Sequence, residues 1–146
     1  MTRRQMISTS GLALLALLGL LFLVLSDAGA AANAEAFDPA RFEALQASEA
    51  LVLVDVAASW CSTCAQQDAL VARYQASRPD VALHVLRVDF DEQKEWVRHF
   101  KAPRQSTLVL YRGSERIWFS VAETREEVLF EVLDEAAGAG SATSGR

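Results

Sequence analysis

Between Gly11 and Leu25 the chain is almost wholly apolar, whereas from Glu35 onward its apolar residues fall into short runs and helical spacings separated by polar breaks. The run Leu51-Val52-Leu53-Val54-Asp55-Val56-Ala57 is apolar at both alternating sets of positions, the pattern of a central strand covered by helices on either side. Before it, Asp38-Pro39 supplies a cap and a first-turn proline for a short helix with Phe42 and Leu45 on one face. A second helix is predicted over about 61–77, ended by Arg78-Pro79-Asp80, and a strand over 81–88. Asp89 and Asp91 each suit the cap of a third helix carrying Trp96, Val97 and Phe100. Strands over 107–111 and 115–121 flank a tight turn at Arg112-Gly113-Ser114. Thr124-Arg125-Glu126-Glu127 has the form of a capping box for a last helix that turns Val128, Leu129, Val132 and Leu133 inward, and 138–146 is a small-residue tail expected to be flexible.

The order α-β-α-β-α-β-β-α predicts an α/β fold: a mixed central sheet flanked by helices, its first two strands parallel and a hairpin on the other side. At 146 residues there is room for one domain, and 51% hydrophobic content excludes a disordered chain. Arg3 and Arg4, the apolar run and the tract Ala28-Gly29-Ala30-Ala31-Ala32-Asn33-Ala34 have the three-part layout of a signal peptide, with cleavage after Ala34 and Glu35 as the mature start. The 15 uninterrupted apolar residues fall short of the roughly 20 a membrane span needs, yet 6–25 would span if three hydroxyl residues are tolerated. Residues 1–34 are therefore expected to be a signal peptide or a retained anchor helix, and 35–137 the folded domain. Thr2-Arg3-Arg4-Gln5-Met6-Ile7 also has the look of a twin-arginine export signal.

Export is expected to place the domain in a bacterial periplasm, free or held at the inner membrane by the uncleaved segment, where thiols are oxidised unless a partner keeps them reduced. Residues 1–34 hold two arginines and one aspartate, so the remainder carries 12 basic against 18 acidic residues, a net of −6. That balance argues against nucleic acid as a partner.

Both cysteines lie in Trp60-Cys61-Ser62-Thr63-Cys64, where the apolar strand gives way to the second helix. Two thiols one helical turn apart can close and reopen a small disulfide, and the positive end of the helix favours thiolate at the first. Cys61 is the expected nucleophile, exposed at the helix start, and Cys64 the resolving thiol. As a mere staple the bridge would be inefficient, since closing a loop this short contributes about 2 kcal/mol. Ser62 and Thr63 either donate to the Cys61 thiolate or are simply small residues that let the helix begin. Asp55, inside an apolar strand, is expected to be buried with a raised pKa, and Arg87 is positioned to pair with it. A metal site is not expected: the soft ligands are Cys61, Cys64, His84 and His99, and no spacing brings either histidine to the cysteines. A two-thiolate copper(I) carrier, or a non-catalytic binding module, is the alternative.

The junction of strand and Trp-Cys-x-x-Cys, Asp55 six residues before the first cysteine, and the Thr107-Leu108-Val109-Leu110-Tyr111 strand followed by Arg112-Gly113 resemble the thioredoxin superfamily over about 37–136. Ser59-Trp60-Cys61-Ser62-Thr63-Cys64 and Gln105-Ser106-Thr107-Leu108 are similar to a subset of exported bacterial thioredoxin-like proteins. The resemblance implies a thioredoxin-like fold behind the N-terminal segment and a thiol–disulfide oxidoreductase with no cofactor beyond the cysteine pair. It implies that Asp55 moves the proton of thiol exchange, that Trp60 flanks the dithiol, and that Thr107 and the residue before it face the substrate.

Ser106 is the departure. The family places a cis-proline there, and a cis bond before a non-proline residue costs about 2.5–4 kcal/mol, so the Gln105–Ser106 bond should be trans or strained for a purpose. Arg87 also stands where the family commonly has lysine. The expected partners are disulfide-containing proteins and a membrane electron donor. A mature chain of 112 residues has no room for the helical insertion of strong periplasmic oxidases or for a dimerisation module, which favours a monomeric reductase.

Overall fold

The structure, a computed structural model, describes residues 32–143. The expected signal or anchor helix lies outside the described residues, apart from its last three positions. Among the described residues the elements run β1 (Ala34–Ala36), α1 (Pro39–Ala47), β2 (Leu51–Ala57), α2 (Ser62–Ser77), β3 (Leu83–Asp89), α3 (Lys94–His99), β4 (Thr107–Arg112), β5 (Glu115–Val121) and α4 (Glu126–Thr143).

One sheet orders the strands β1-β3-β2-β4-β5. β2 lies parallel to β3 and antiparallel to β4, and β4 and β5 form the hairpin. This is the mixed sheet the element order predicts. All seven residues of β2 are buried, and its alternating side chains divide the core in two. Leu51 and Leu53 pack with Leu70, Val71, Tyr74, Leu129 and Leu133 of α2 and α4. Val52, Val54 and Val56 pack on the opposite face with Phe42 and Leu45 of α1, Val97 of α3 and Phe100 just after it. Each such aliphatic side chain contributes roughly 1.5–3 kcal/mol on burial, so the doubly covered strand is a rigid base for the turn and helix that leave its C-terminal end.

Local signals act as the sequence implies at several ends. The Asp38 carboxylate accepts from the Arg41 N–H at 2.8 Å with Pro39 in the first turn of α1, and α2 stops at Ser77. Four features differ from the sequence reading. α3 takes Gln93 as its N-cap with no side-chain capping bond, in place of Asp89 or Asp91. β1 was not predicted: its Ala-Glu-Ala has no strand pattern, and it forms by pairing in parallel with β3 at a sheet edge. Its first residue is Ala34, so the junction read between 34 and 35 falls within this strand. α4 runs to Thr143, six residues into the expected tail, because alanines sustain a helix that two glycines alone do not stop. It also begins at Glu126, and the side chain that meets the incoming backbone is that of Glu123, whose carboxylate accepts from the Arg125 N–H at 2.9 Å.

Candidate redox site

β2 ends at Ala57, and the chain turns through Ala58, Ser59 and Trp60 to place Cys61 as the N-cap of α2. Cys61 and Cys64 are joined as a disulfide, and Cys61 Sγ accepts from the Cys64 backbone N–H at 3.1 Å. The leading sulfur therefore sits where free N–H groups and the helix dipole favour negative charge. Its expected full exposure is corrected: Cys61 is only 7% exposed, because it packs with Ala57, Ala58, Cys64 and Phe90. Access comes from the side instead. A cavity of about 290 Å³ opens beside the pair, lined in part by Ala58, Cys61, Cys64, Asp68, Arg87 and Asp89.

Asp55 is 4% exposed and is linked to the cavity through Arg87, which lines it. β2 and β3 are in register at Asp55 and Arg87, so both side chains project from the α2 face of the sheet. Arg87 Nε and Nη2 donate to Asp55 Oδ2 at 3.0 and 2.8 Å, and Nη2 also donates to Asp68 Oδ1 at 2.6 Å. Burial pushes the Asp55 pKa up and prevails over the pull of the Arg87 charge. Burial also disfavours the charge on Arg87, but the two carboxylates more than offset it and Arg87 stays protonated. Asp55 Oδ1 has no hydrogen-bond partner among the described residues. A carboxyl so placed can carry a proton that an exposed aspartate would have lost.

Ser106 closes the site from the other side. No peptide bond among the described residues is cis, so Gln105–Ser106 is trans, and Ser106 instead takes a left-handed φ of 63°. Its hydroxyl lies 3.1 Å from Cys61 Sγ and 3.3 Å from Cys64 Sγ. Ser106 and Thr107, the two residues expected to face substrate, are both fully buried. Ser106 faces the sulfurs, and the Thr107 hydroxyl donates to the Arg104 carbonyl at 2.7 Å, bracing the bend. Ser62 is exposed and Thr63 half-buried, and among the described residues neither hydroxyl bonds to a cysteine.

Trp60 is 61% exposed, and its indole N–H donates to Asp91 Oδ2 at 2.7 Å. His84 lies on β3, and His99 meets the rings of Trp96 and Phe100 edge-on, so neither is brought to the cysteines. Among the described residues no three of His, Cys, Asp and Glu are grouped as metal ligands.

Three residues escape the sequence reading. Asp68 is one helical turn beyond Cys64, a spacing that places it on the same face. Gln67 is fully buried, and its amide donates to the carbonyls of Ser106 and Glu123 at 3.3 and 3.0 Å. A polar residue on the apolar stripe with Cys64, Leu70, Val71 and Tyr74 was the available signal. Asp91, fixing the tryptophan from 31 positions away, left none.

The comparisons with known proteins agree with this geometry. The thioredoxin family matches residues 32–135. A thioredoxin of Listeria monocytogenes is 30% identical over 89 residues, 61% of this chain and 85% of that protein. Thioredoxin H2-1 of Oryza sativa subsp. japonica is 33% identical over 78 residues, 53% of this chain and 55% of that protein, so the chain spans about half of the rice relative. Among solved structures, Trxlp from Edwardsiella tarda EIB202 is similar with a TM-score of 0.65 and 38% identity, covering 69% of this chain and 98% of that one. The thioredoxin NaTrxh from Nicotiana alata, 20% identical, shares the fold with a TM-score of 0.60 over 74% of this chain and 96% of its own. The disulfide pair and these relatives together support thiol–disulfide oxidoreductase activity. With a mixed sheet, a dithiol capping the helix after its central strand and a match across 32–135, the chain belongs to the thioredoxin family.

Proposed function

We propose that this chain is an exported reductase of protein disulfides, recharged by a membrane electron donor and acting as a monomer. The observation that carries the chemistry is Cys61 Sγ at the helix N-terminus, bonded by the Cys64 N–H and opening on a cavity. The Cys61 thiolate attacks one sulfur of a substrate disulfide, that bond breaks, and the departing thiolate takes a proton from solvent. Cys64 then loses its proton and attacks Cys61, forming the intramolecular disulfide and expelling the second substrate thiolate. Two electrons pass to the substrate, which leaves as a dithiol. Asp55 takes the Cys64 proton in this reading, in keeping with its burial and raised pKa.

Disulfide-containing proteins are what the family acts on, and the exposed Trp60 ring beside the dithiol offers a flat apolar surface to such a chain. Export is supported by the arginine pair, apolar run and small-residue tract of 1–34. Reduction is favoured over oxidation because the described elements from β1 to α4 make up the domain without room for the large helical insertion of strong periplasmic oxidases.

Equilibration of the 35–146 domain with glutathione buffers tests the direction. A dithiol potential near thioredoxin's, about −270 mV, is expected, while one near −120 mV would make the protein an oxidant. Cys64→Ala is expected to trap substrates as mixed disulfides on Cys61, and no covalent adduct in the exporting cell would count against Cys61 as the attacking thiol.

A further inference from the structure

We propose that the Ser106 hydroxyl is a catalytic hydrogen-bond donor to the Cys61–Cys64 pair, holding the thiolate that appears whenever the disulfide opens. The proposal rests on the reading of the dithiol as an exchange centre. Ser106 Oγ faces both sulfurs of the disulfide, at 3.1 and 3.3 Å, and the residue has no exposed surface. A hydroxyl has one proton to donate, and within this pocket the sulfurs are the acceptors it meets.

Charge decides which redox state gains. A disulfide sulfur is a weak acceptor, whereas a thiolate is an ionised one, and hydrogen bonds to ionised groups are roughly twice as strong as neutral ones. The contact therefore favours the reduced pair over the oxidised one. During exchange the negative charge moves between Cys61 and Cys64. Ser106 reaches both, so its O–H can follow the charge by rotation while keeping its proton.

The backbone shows that this placement is enforced. The Ser106 carbonyl accepts from the Ala122 N–H at 2.8 Å and from Gln67 Nε2 at 3.3 Å. Ser106 holds a left-handed φ of 63°, a conformation unfavourable for a non-glycine residue that persists only where the surroundings impose it. Ser62 and Thr63 lie next to Cys61 in sequence yet make no bond to it among the described residues, so the hydroxyl that serves the sulfurs comes from 45 residues away.

The test compares wild type, Ser106→Ala and Ser106→Gly. Each is equilibrated with glutathione redox buffers at a pH where Cys61 is ionised in all three, and the thiolate absorbance of each reduced protein is titrated. Both variants are expected to shift the equilibrium about tenfold toward the disulfide, about 30 mV for a two-electron couple, and to raise the pH midpoint of the thiolate. Glycine adopts positive φ freely, so it separates the hydroxyl from the backbone strain. A shift in only one variant would assign the effect to the backbone and overturn the proposal. Equilibria and midpoints indistinguishable from wild type would overturn it too, with exchange itself intact. A wild-type protein that fails to equilibrate with glutathione would overturn the exchange reading and this proposal with it.

Discussion

The buried amide of Gln67 holds the carbonyl oxygen of Ser106 at 3.3 Å, tying the cysteine helix to the loop that faces it across the sulfurs. The same nitrogen reaches the Glu123 carbonyl at 3.0 Å. Gln67→Met keeps the shape and removes both bonds. The Ser106 carbonyl retains the Ala122 N–H, so the principal loss is one orphaned carbonyl at Glu123. Destabilisation of about 1–2 kcal/mol is expected, read as a lowered denaturant midpoint at unchanged m-value. A variant as stable as wild type would mean that the amide does not secure the loop.

Asp55 sets a pH dependence of definite sign. Burial raises its pKa above 3.8, so between 3.8 and the folded value the native state keeps a proton that the unfolded chain has released. Stability then falls as pH rises through that window and stays lowered above it. Asp55→Asn removes the titration. Its stability relative to wild type should improve as pH rises through that window and hold level above it in denaturation series, and a difference that does not vary with pH would show that Asp55 titrates alike in both states.

Trp60 spends little of its surface on the fold. Trp60→Ala is expected to change stability by no more than about 0.5 kcal/mol. If the ring receives the substrate chain, the same variant raises KM for a peptide disulfide several-fold, on the order of 1 kcal/mol, with kcat little changed. Asp91→Ala, which frees the indole N–H, should reproduce part of the effect. Steady-state kinetics separate the two parameters, and an unaltered KM in both variants would remove Trp60 from the substrate surface.

Much of this site was legible because periodicity and local chemistry speak for themselves. An aspartate inside Leu51–Ala57 had to be buried, and its register with Arg87 follows from two adjacent parallel strands. What was hidden is set by tertiary packing. β1 owes its existence to an edge of β3 and not to its own Ala-Glu-Ala. The near-burial of Cys61 depends on Ala57, Ala58 and Phe90 closing over it. The sequence singled out Ser106 by the absence of proline, yet the direction of its hydroxyl depends on a left-handed φ that no local pattern announces.

Gly113 makes the β4–β5 turn at φ 53°, its N–H donating to the Ala50 carbonyl at 3.0 Å. A methyl group there would meet the Glu49 carboxylate at 2.5 Å, and the backbone conformation disfavours any Cβ. The side chain of Glu49 can swing aside, so the backbone is the larger obstacle. Gly113→Ala is expected to cost roughly 1–2 kcal/mol in thermal or chemical unfolding while the dithiol potential stays unchanged, since the turn lies at the strand ends away from the cysteines.

Glu123 supplies an acid-side dependence of opposite sign to that of Asp55. Its carboxylate is only 10% exposed and is clasped by the Arg125 guanidinium at 2.6 Å and the Arg125 N–H at 2.9 Å, bonds that pull its pKa down from 4.5 to about 2. The folded state therefore keeps the charge where the unfolded chain has taken a proton. The stabilisation is complete above 4.5 and is lost as pH falls toward 2. Glu123→Gln should be less stable than wild type at neutral pH, and the difference should shrink across that acid window until the two unfold alike. Because the Glu123 carbonyl also receives the Gln67 amide, loosening this turn should reach the Ser106 loop. Hydrogen exchange at Ala122, whose N–H bonds to Ser106, is then expected to quicken in Glu123→Gln at neutral pH, and unchanged exchange there would show that the clasp steadies only the start of α4.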